Sequence, residues 1–240
     1  MYDYQNSTVI RFELNKPFYE FSSNAGLIST GNYLNLHFPL SANVGLSAEL
    51  PFAVRRVNSN THIGIGNVGI GLELWNTNRS FMFEMGSRAP VRSDNPTMYL
   101  GFLMDLPERP DSYIEAIPIR LIANRFFNYI DDTGFTARLR SGFIFMIPTE
   151  SGDRSELVYN FGLLPGYKFE SVRIYWGVAG TILLTERRRT FSERVLTNYF
   201  LSVDFGSGSS RPGIIIRLPQ NEDVSRIISA FIGLSWTLVY

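Results

Sequence analysis

The sequence predicts an all-β fold: a transmembrane antiparallel up-and-down β-barrel of about 12 strands, with about 14 as the alternative, built as one domain over residues 1–240. Three observations predict it. Apolar and polar residues alternate with period two in segment after segment, glycines gather on the polar side of that alternation, and nothing approaches the roughly 18 uninterrupted apolar residues that a membrane-spanning helix needs.

The alternation is clearest at the carboxy terminus, where Ile232, Leu234, Trp236, Leu238 and Tyr240 fall on one face and Gly233, Ser235, Thr237 and Val239 on the other. Successive side chains of a strand point to opposite sides, so one wall there is apolar and the other small and mostly polar. Ile10, Phe12 and Leu14 alternate in the same way with Arg11 and Glu13, and Leu34, Leu36, Phe38 and Leu40 with Asn35 and His37. Leu46, Ala48, Leu50 and Phe52 alternate with Ser47 and Glu49, and Val68, Ile70, Leu72 and Leu74 with Gly69, Gly71, Glu73 and Trp75. The longest run places Phe135, Ala137, Leu139, Ser141, Phe143, Phe145 and Ile147 opposite Thr136, Arg138, Arg140, Gly142, Ile144 and Met146.

Further candidate strands run over Phe81–Arg88, Met98–Asp105, Ala116–Asn124, Leu157–Gly166, Val172–Ala179, Tyr199–Gly206 and Gly213–Leu218. These make 13 segments, and barrels of this class normally have an even number with both termini on one side, so about 12 is the expectation. Residues Pro17 to Thr30 read least like a strand. Turn chemistry such as Ser41-Ala42-Asn43, Asn76-Thr77-Asn78 and Asp131-Asp132-Thr133-Gly134 separates the segments, and no linker interrupts them.

A soluble sandwich also alternates, so the polar face has to decide which solvent meets the apolar one. That face collects Gly45, Gly69, Gly71, Gly86, Gly101, Gly142, Gly162, Gly166, Gly177, Gly206, Gly213 and Gly233, where a soluble exterior would carry Lys, Glu and Thr. Glycine within a strand marks curvature or the close approach of another group, both natural on the concave side of a barrel. Lysine is rare and most basic residues are Arg, which suits paired, partly enclosed charge. The apolar wall is therefore expected to meet lipid and the polar wall to line a lumen, with Leu72, Phe143 and Trp236 facing lipid. Aromatic residues reach 14%, with 19 Phe and 12 Tyr, while the hydrophobic total is an ordinary 45%.

The runs Gly45-Leu46-Ser47-Ala48-Glu49-Leu50-Pro51-Phe52 and Gly64-Ile65-Gly66-Asn67-Val68-Gly69-Ile70-Gly71-Leu72-Glu73-Leu74 resemble the family of outer-membrane transporters of the phenol meta-degradation pathway. Pro212-Gly213-Ile214-Ile215-Ile216-Arg217-Leu218-Pro219 is similar to it as well. The resemblance covers residues 34–91 and the final stretch of the chain. It implies a barrel in the outer membrane of a Gram-negative bacterium that passes small, often apolar or aromatic, molecules. Where that family usually carries Asp, this chain has Asn67.

Other chemistry finds little support. Gly64-x-Gly66-x-x-Gly69 matches a dinucleotide fingerprint literally but runs on into an alternating strand instead of a helix, so no cofactor is expected. The imidazoles are His37, read as a lumen residue, and His62, read as a loop residue; neither neighbours a nucleophile, and no enzyme activity is expected. There is no Cys and no His pair at ligand spacing, and Asp131, Asp132 and Asp153 read as solvated turn residues. Lys+Arg and Asp+Glu are equal at 22 each, which argues against a nucleic-acid partner. Met1-Tyr2-Asp3-Tyr4-Gln5 lacks the features of a signal peptide, so the expectation is a mature chain with an added start methionine.

Two charge constellations remain. Glu186-Arg187-Arg188-Arg189 with Arg194 forms a basic cluster on the side away from the C-terminus, where guanidinium groups suit phosphates and lipopolysaccharide is the expected partner, a solvated loop being the alternative. In the lumen, Glu49, Glu73, Glu84 and Asp105 come from earlier strands and Arg120, Arg138, Arg140, Arg173 and Arg217 from later ones, with Arg88 and Asp204 breaking the segregation. An acidic wall facing a basic wall follows, because strands adjacent in sequence are adjacent around such a barrel. The functional expectation is a passive channel for small solutes in which these walls orient what passes. The alternative is a closed barrel that serves as scaffold or partner-binding subunit of an envelope complex.

Overall fold

The computed structural model describes residues 7–20, 28–57, 60–91, 97, 101, 107–128, 133–150, 152, 154–185, 190–206 and 208–240. Thirteen strands are present: β1 Val9–Tyr19, β2 Ile28–Ser41, β3 Val44–Val57, β4 Asn60–Ile65, β5 Val68–Trp75, β6 Phe81–Ala89 and β7 Ala116–Phe127 in the first part of the chain. The second part holds β8 Gly134–Pro148, β9 Glu156–Lys168, β10 Val172–Leu183, β11 Val195–Phe205, β12 Ser210–Pro219 and β13 Ile228–Val239. Single-turn helices whose full extent is described, α1 Phe191–Arg194 and α2 Glu222–Ser225, sit in connections.

The strands form a closed antiparallel barrel of 12 staves. Each strand pairs with its neighbours in sequence, and β1 closes the ring against β13 from Val9↔Val239 to Tyr19↔Ile228. Thirteen strands make 12 staves because β4 and β5 share one. β3 pairs with β5 through residues 44–49 and with β4 through residues 52–57. At the break, Gly66 donates its amide to the Pro51 carbonyl at 2.8 Å, a bulge that leaves Asn67 aimed inward.

Two sequence expectations are corrected here. Asn60–Ile65, including His62, is strand rather than loop. The expected strand Met98–Asp105 lies outside the described residues except for Gly101, which is helical, as is Thr97 just before it, and β6 pairs directly with β7. A Cβ at Gly101 would lie 2.8 Å from the Tyr113 ring, so Gly101 packs against the segment inside the barrel.

The faces follow the alternation. Outside, Phe12, Ile70, Phe143, Leu234 and Trp236 are exposed along with most other large apolar side chains of their register, while the paired inward positions carry Arg, Glu, Asn and Gly. This inversion of a soluble protein's pattern is what a hydrocarbon exterior and a wet interior demand. Among the described residues no helix is long and apolar enough to cross a membrane. At the end that carries Val9 and Val239, the connections 42–43, 76–80, 128–133, 169–171 and 206–209 are short, whereas the opposite end holds 90–115 and 184–194. Short turns at one end and longer loops at the other are the rule for membrane barrels, and this one follows it.

The lumen glycines are covered rather than vacant. An added Cβ would meet the His37 imidazole at Gly45, the Arg88 guanidinium at Gly69, the Tyr175 ring at Gly166, and Asn15 at Gly233. The missing side chains let neighbours lie flat against the wall.

Candidate functional site: the charged lumen

Period-two geometry brings Glu84 of β6, Asn124 of β7, Arg138 and Arg140 of β8 and Asn160 of β9 side by side on the inner wall. Glu84 accepts contacts from Arg138 and Arg140, each at 3.4 Å. The amide of Asn124 donates to Glu84 at 2.7 Å, while its oxygen accepts from Arg138 Nε at 2.8 Å. Arg140 Nε donates to Asn160 at 2.8 Å. The Arg138 guanidinium also lies over the Phe126 ring, which stacks on Trp75 at 5.3 Å. These bonds run along the wall between staves that are adjacent or next but one in the sheet, and do not span the lumen.

A second set crosses it. The connection 90–115 turns inward over residues 107–115, where Asp111 and Ser112 are fully buried and Tyr113 nearly so. The bulge residue Asn67 fixes this segment. Its amide donates to the Ser112 carbonyl at 2.6 Å, and its side-chain nitrogen to the carbonyls of Asp111 at 3.0 Å and Ile114 at 2.7 Å. Gly66 is required there, since a Cβ would lie 2.5 Å from the Ser112 carbonyl oxygen. The glycines of Gly64-x-Gly66-x-x-Gly69 thus serve close backbone approach and the flat seat of Arg88.

Charges on the segment answer those on the wall. Arg109 reaches Glu49 at 3.5 Å and Glu13 at 3.7 Å, and its guanidinium lies 4.1 Å over the Tyr33 ring. Asp111 meets Arg88 at 3.1 Å and Arg120 at 3.4 Å, and Glu108 meets Arg217 at 3.2 Å. Arg88 also binds Glu49 at 2.5 Å with its side chain fully buried, and Arg217 reaches Glu13 at 3.4 Å. The segment thus presents a cation to the carboxylates of β1 and β3 and carboxylates to the cations of β6, β7 and β12.

Every described residue of the expected walls lies on the inward register. Glu73 pairs with His37 at 3.0 Å, and Arg173 faces Asp204 as its strand partner. Asp105 lies outside the described residues, as do Arg187, Arg188, Arg189, Asp131, Asp132 and Asp153. The walls do not simply face one another across open space, because residues 107–115 stand between them. Arg11, Glu13, Glu108, Arg109, Asp111 and Asn67 belong to the network without having been read as part of it. The signal for the segment was its length: a connection of residues 90–115 is far longer than a hairpin needs, and Pro107-Glu108-Arg109-Pro110-Asp111 holds its charges between prolines.

Below the segment, toward the end carrying Val9, the lumen holds a cavity of about 420 Å³. Glu49, Glu84, Arg109, Arg138, Arg140 and Arg217 contribute to its charged lining, and Trp75, Met82 and Phe126 to an apolar side. Its wall can polarise or orient a small solute.

No protein-family model matches the chain, and no curated protein matches it in sequence. Solved structures match in shape. An outer membrane channel from Pseudomonas putida F1 superposes with a TM-score of 0.64 at 11% identity, covering 99% of this chain and 98% of that one. The KdgM porin gives 0.56 at 11% identity over 97% and 99% of the two chains. LpxR from Salmonella typhimurium gives 0.53 at 9% identity over 97% and 100%. At such identities the likeness is one of fold, and it makes this chain an antiparallel barrel of the outer-membrane kind.

Proposed function

We propose that the protein is a passive channel of a Gram-negative outer membrane that admits small solutes to a charged lumen. The observation that carries this reading is the 420 Å³ cavity inside a closed barrel, lined by guanidinium and carboxylate groups while the exterior is apolar. A barrel that only anchored partners would gain nothing from burying so many charges around an internal space. The apolar patch of Trp75, Met82 and Phe126 beside Arg138 and Arg140 suits small solutes with an apolar or aromatic body, in line with the resemblance to the phenol-pathway transporters. Lipopolysaccharide as a partner of Arg187, Arg188 and Arg189 belongs to the same proposal and rests on their place in the chain between β10 and β11.

A second reading has one specific observation behind it. Residues 107–115 span the lumen, which favours a closed barrel acting as scaffold or partner-binding subunit in an envelope complex. Current through the purified protein in a planar bilayer decides between them: discrete conductance steps support the channel, and a silent bilayer containing folded protein supports the scaffold.

A further inference from the structure

We infer that the cavity is a binding site for small aromatic carboxylates, with the anionic end held by Arg138 and Arg140 and the ring on an uncharged strip of wall on β9 to β11. This rests on the channel reading, and names the class of solute that passes.

The charges set the anionic end. Arg138 and Arg140 share one carboxylate, Glu84, at 3.4 Å each, while Glu73, the strand partner of Glu84, turns away to His37 on β2 at 3.0 Å. Arg120, on the intervening β7, is answered by Asp111 at 3.4 Å. The other bonds of Arg138 and Arg140 go to the neutral amides of Asn124 and Asn160, which fix the two guanidinium groups without balancing them. Both side chains keep 19% of their surface exposed, and inside a closed barrel that surface meets the cavity they line. Two cations held over one anion are short of one negative charge, and a carboxylate supplies it through charge-assisted bonds to the guanidinium forks. Arg217 has the opposite ratio, since it meets both Glu13 at 3.4 Å and Glu108 at 3.2 Å. An arriving anion is therefore drawn to β8 and not to β12.

The strip sets the ring. Between Arg138 and Arg217, staves β9 to β11 line the cavity with Leu164, Tyr175, Ala179, Phe200 and Ser202 beside Asn160, none of them charged. Leu164 is the strand partner of Arg138, and Gly162 that of both Arg140 and Ala179. The wall is low at Gly162, where an added Cβ would touch the Cβ atoms of Arg140 and Ala179 at 3.5 and 3.6 Å, ordinary contact. Glycine and alanine there, with Leu164 beside them and Phe200 beyond, leave a flat apolar seat next to the two guanidinium groups. A planar ring gains most from such a seat, since it buries a large area with few rotors to immobilise. The cavity, at about 420 Å³, falls within the roughly 300–1,000 Å³ of sites that enclose one small molecule.

The test is calorimetric titration of the full refolded barrel in detergent micelles with benzoate, benzyl alcohol and acetate, beside current recording of the same preparation in planar bilayers. Benzoate should bind at least about tenfold more tightly than either of the others, which lack the charge or the ring. Arg138→Gln with Arg140→Gln should weaken benzoate at least about tenfold, and so should Gly162→Leu, which fills the seat and leaves the ion pairs in place. Benzoate bound no better than benzyl alcohol, or unmoved by Gly162→Leu, would overturn the site. Should a variant fail to fold, benzoate against benzyl alcohol on the unmutated protein carries the test. Currents without benzoate binding would overturn the site and leave the channel standing, whereas benzoate binding with a silent bilayer would overturn the channel and leave the site.

Discussion

Two sets of charges line the same lumen and are built from the same residue types, yet they do different things. The set on β6 to β9, Glu84 with Arg138, Arg140, Asn124 and Asn160, joins staves one or two apart in the same stretch of sheet. The set around residues 107–115 joins β1, β3, β6, β7 and β12 through a segment that belongs to none of them. The first set decorates a wall; the second decides how continuous the space inside that wall is. Adjacency in the sheet makes the first nearly inevitable once the strands alternate, whereas the second depends on a loop finding the inside of the barrel.

The sharpest way to break this contrast is to remove one guanidinium from each set. Arg88→Ala leaves Asp111 and Glu49 facing each other in a buried site, and should cost about 3–5 kcal/mol in urea unfolding of the vesicle-embedded protein. Arg138→Ala should cost about 1–2 kcal/mol, because Glu84 keeps Arg140 and Asn124 and the site is partly wet. Equal losses would mean that the two sets do not differ in burial as described.

A second comparison sets lipid against lumen on one strand. Leu72→Arg puts a charge on the hydrocarbon side and should destabilise by about 2–4 kcal/mol, while Glu73→Arg enters the wet interior and should be milder. Folded yields of both variants measured by gel mobility would contradict the assigned register if they fell together.

Glycine substitution is expected to act more gently and more locally. In Gly45→Ala the new Cβ lies 2.6 Å from His37, a side chain that can swing away and surrender its contact with Glu73, so a loss of about 1 kcal/mol is expected. Gly66→Ala has a backbone carbonyl in its way and should free the inward segment as well, detected as faster proteolysis near residues 107–115. The smallest effect on the finished barrel belongs to Tyr240→Ser. Tyr240 is exposed, and its backbone bonds to Thr8 survive the change, so the variant should unfold at the usual urea concentration, and a clear drop in that concentration would contradict this.

How far the sequence carried the structure depends on where the determining contacts lie. The faces of Leu72 and Glu73, of Phe143 and Gly142, and of Trp236 and Ser235 were legible because a stave needs only its own alternation to define inside and outside. Closure at 12 staves was legible too, although for a partly wrong reason. The surplus segment was Met98–Asp105, whose one described residue, Gly101, is helical and packs on Tyr113, and the overlooked one was Asn60–Ile65, whose Asn60, Thr61 and His62 carry no apolar face to betray a strand. The lumen charges could be placed on the right face, but their partners could not. Glu84 with Arg138 and Arg140 follows from staves two apart in the sheet, whereas the pairing of Arg109 with Glu13 and Glu49 joins an inward loop to distant staves and depends on Asn67, a single residue at a bulge. Nothing in local periodicity distinguishes that asparagine from an ordinary turn residue.

The central claim, that these charges line a path taken by solutes, is tested most directly by the reversal potential of single channels under a salt gradient. Discrete steps are expected from the unmutated protein, with Arg138→Glu plus Arg140→Glu shifting selectivity toward cations and Glu73→Arg plus Glu84→Arg shifting it toward anions. Folded protein that passes no current in any of these three forms would contradict the account and leave a closed barrel in its place.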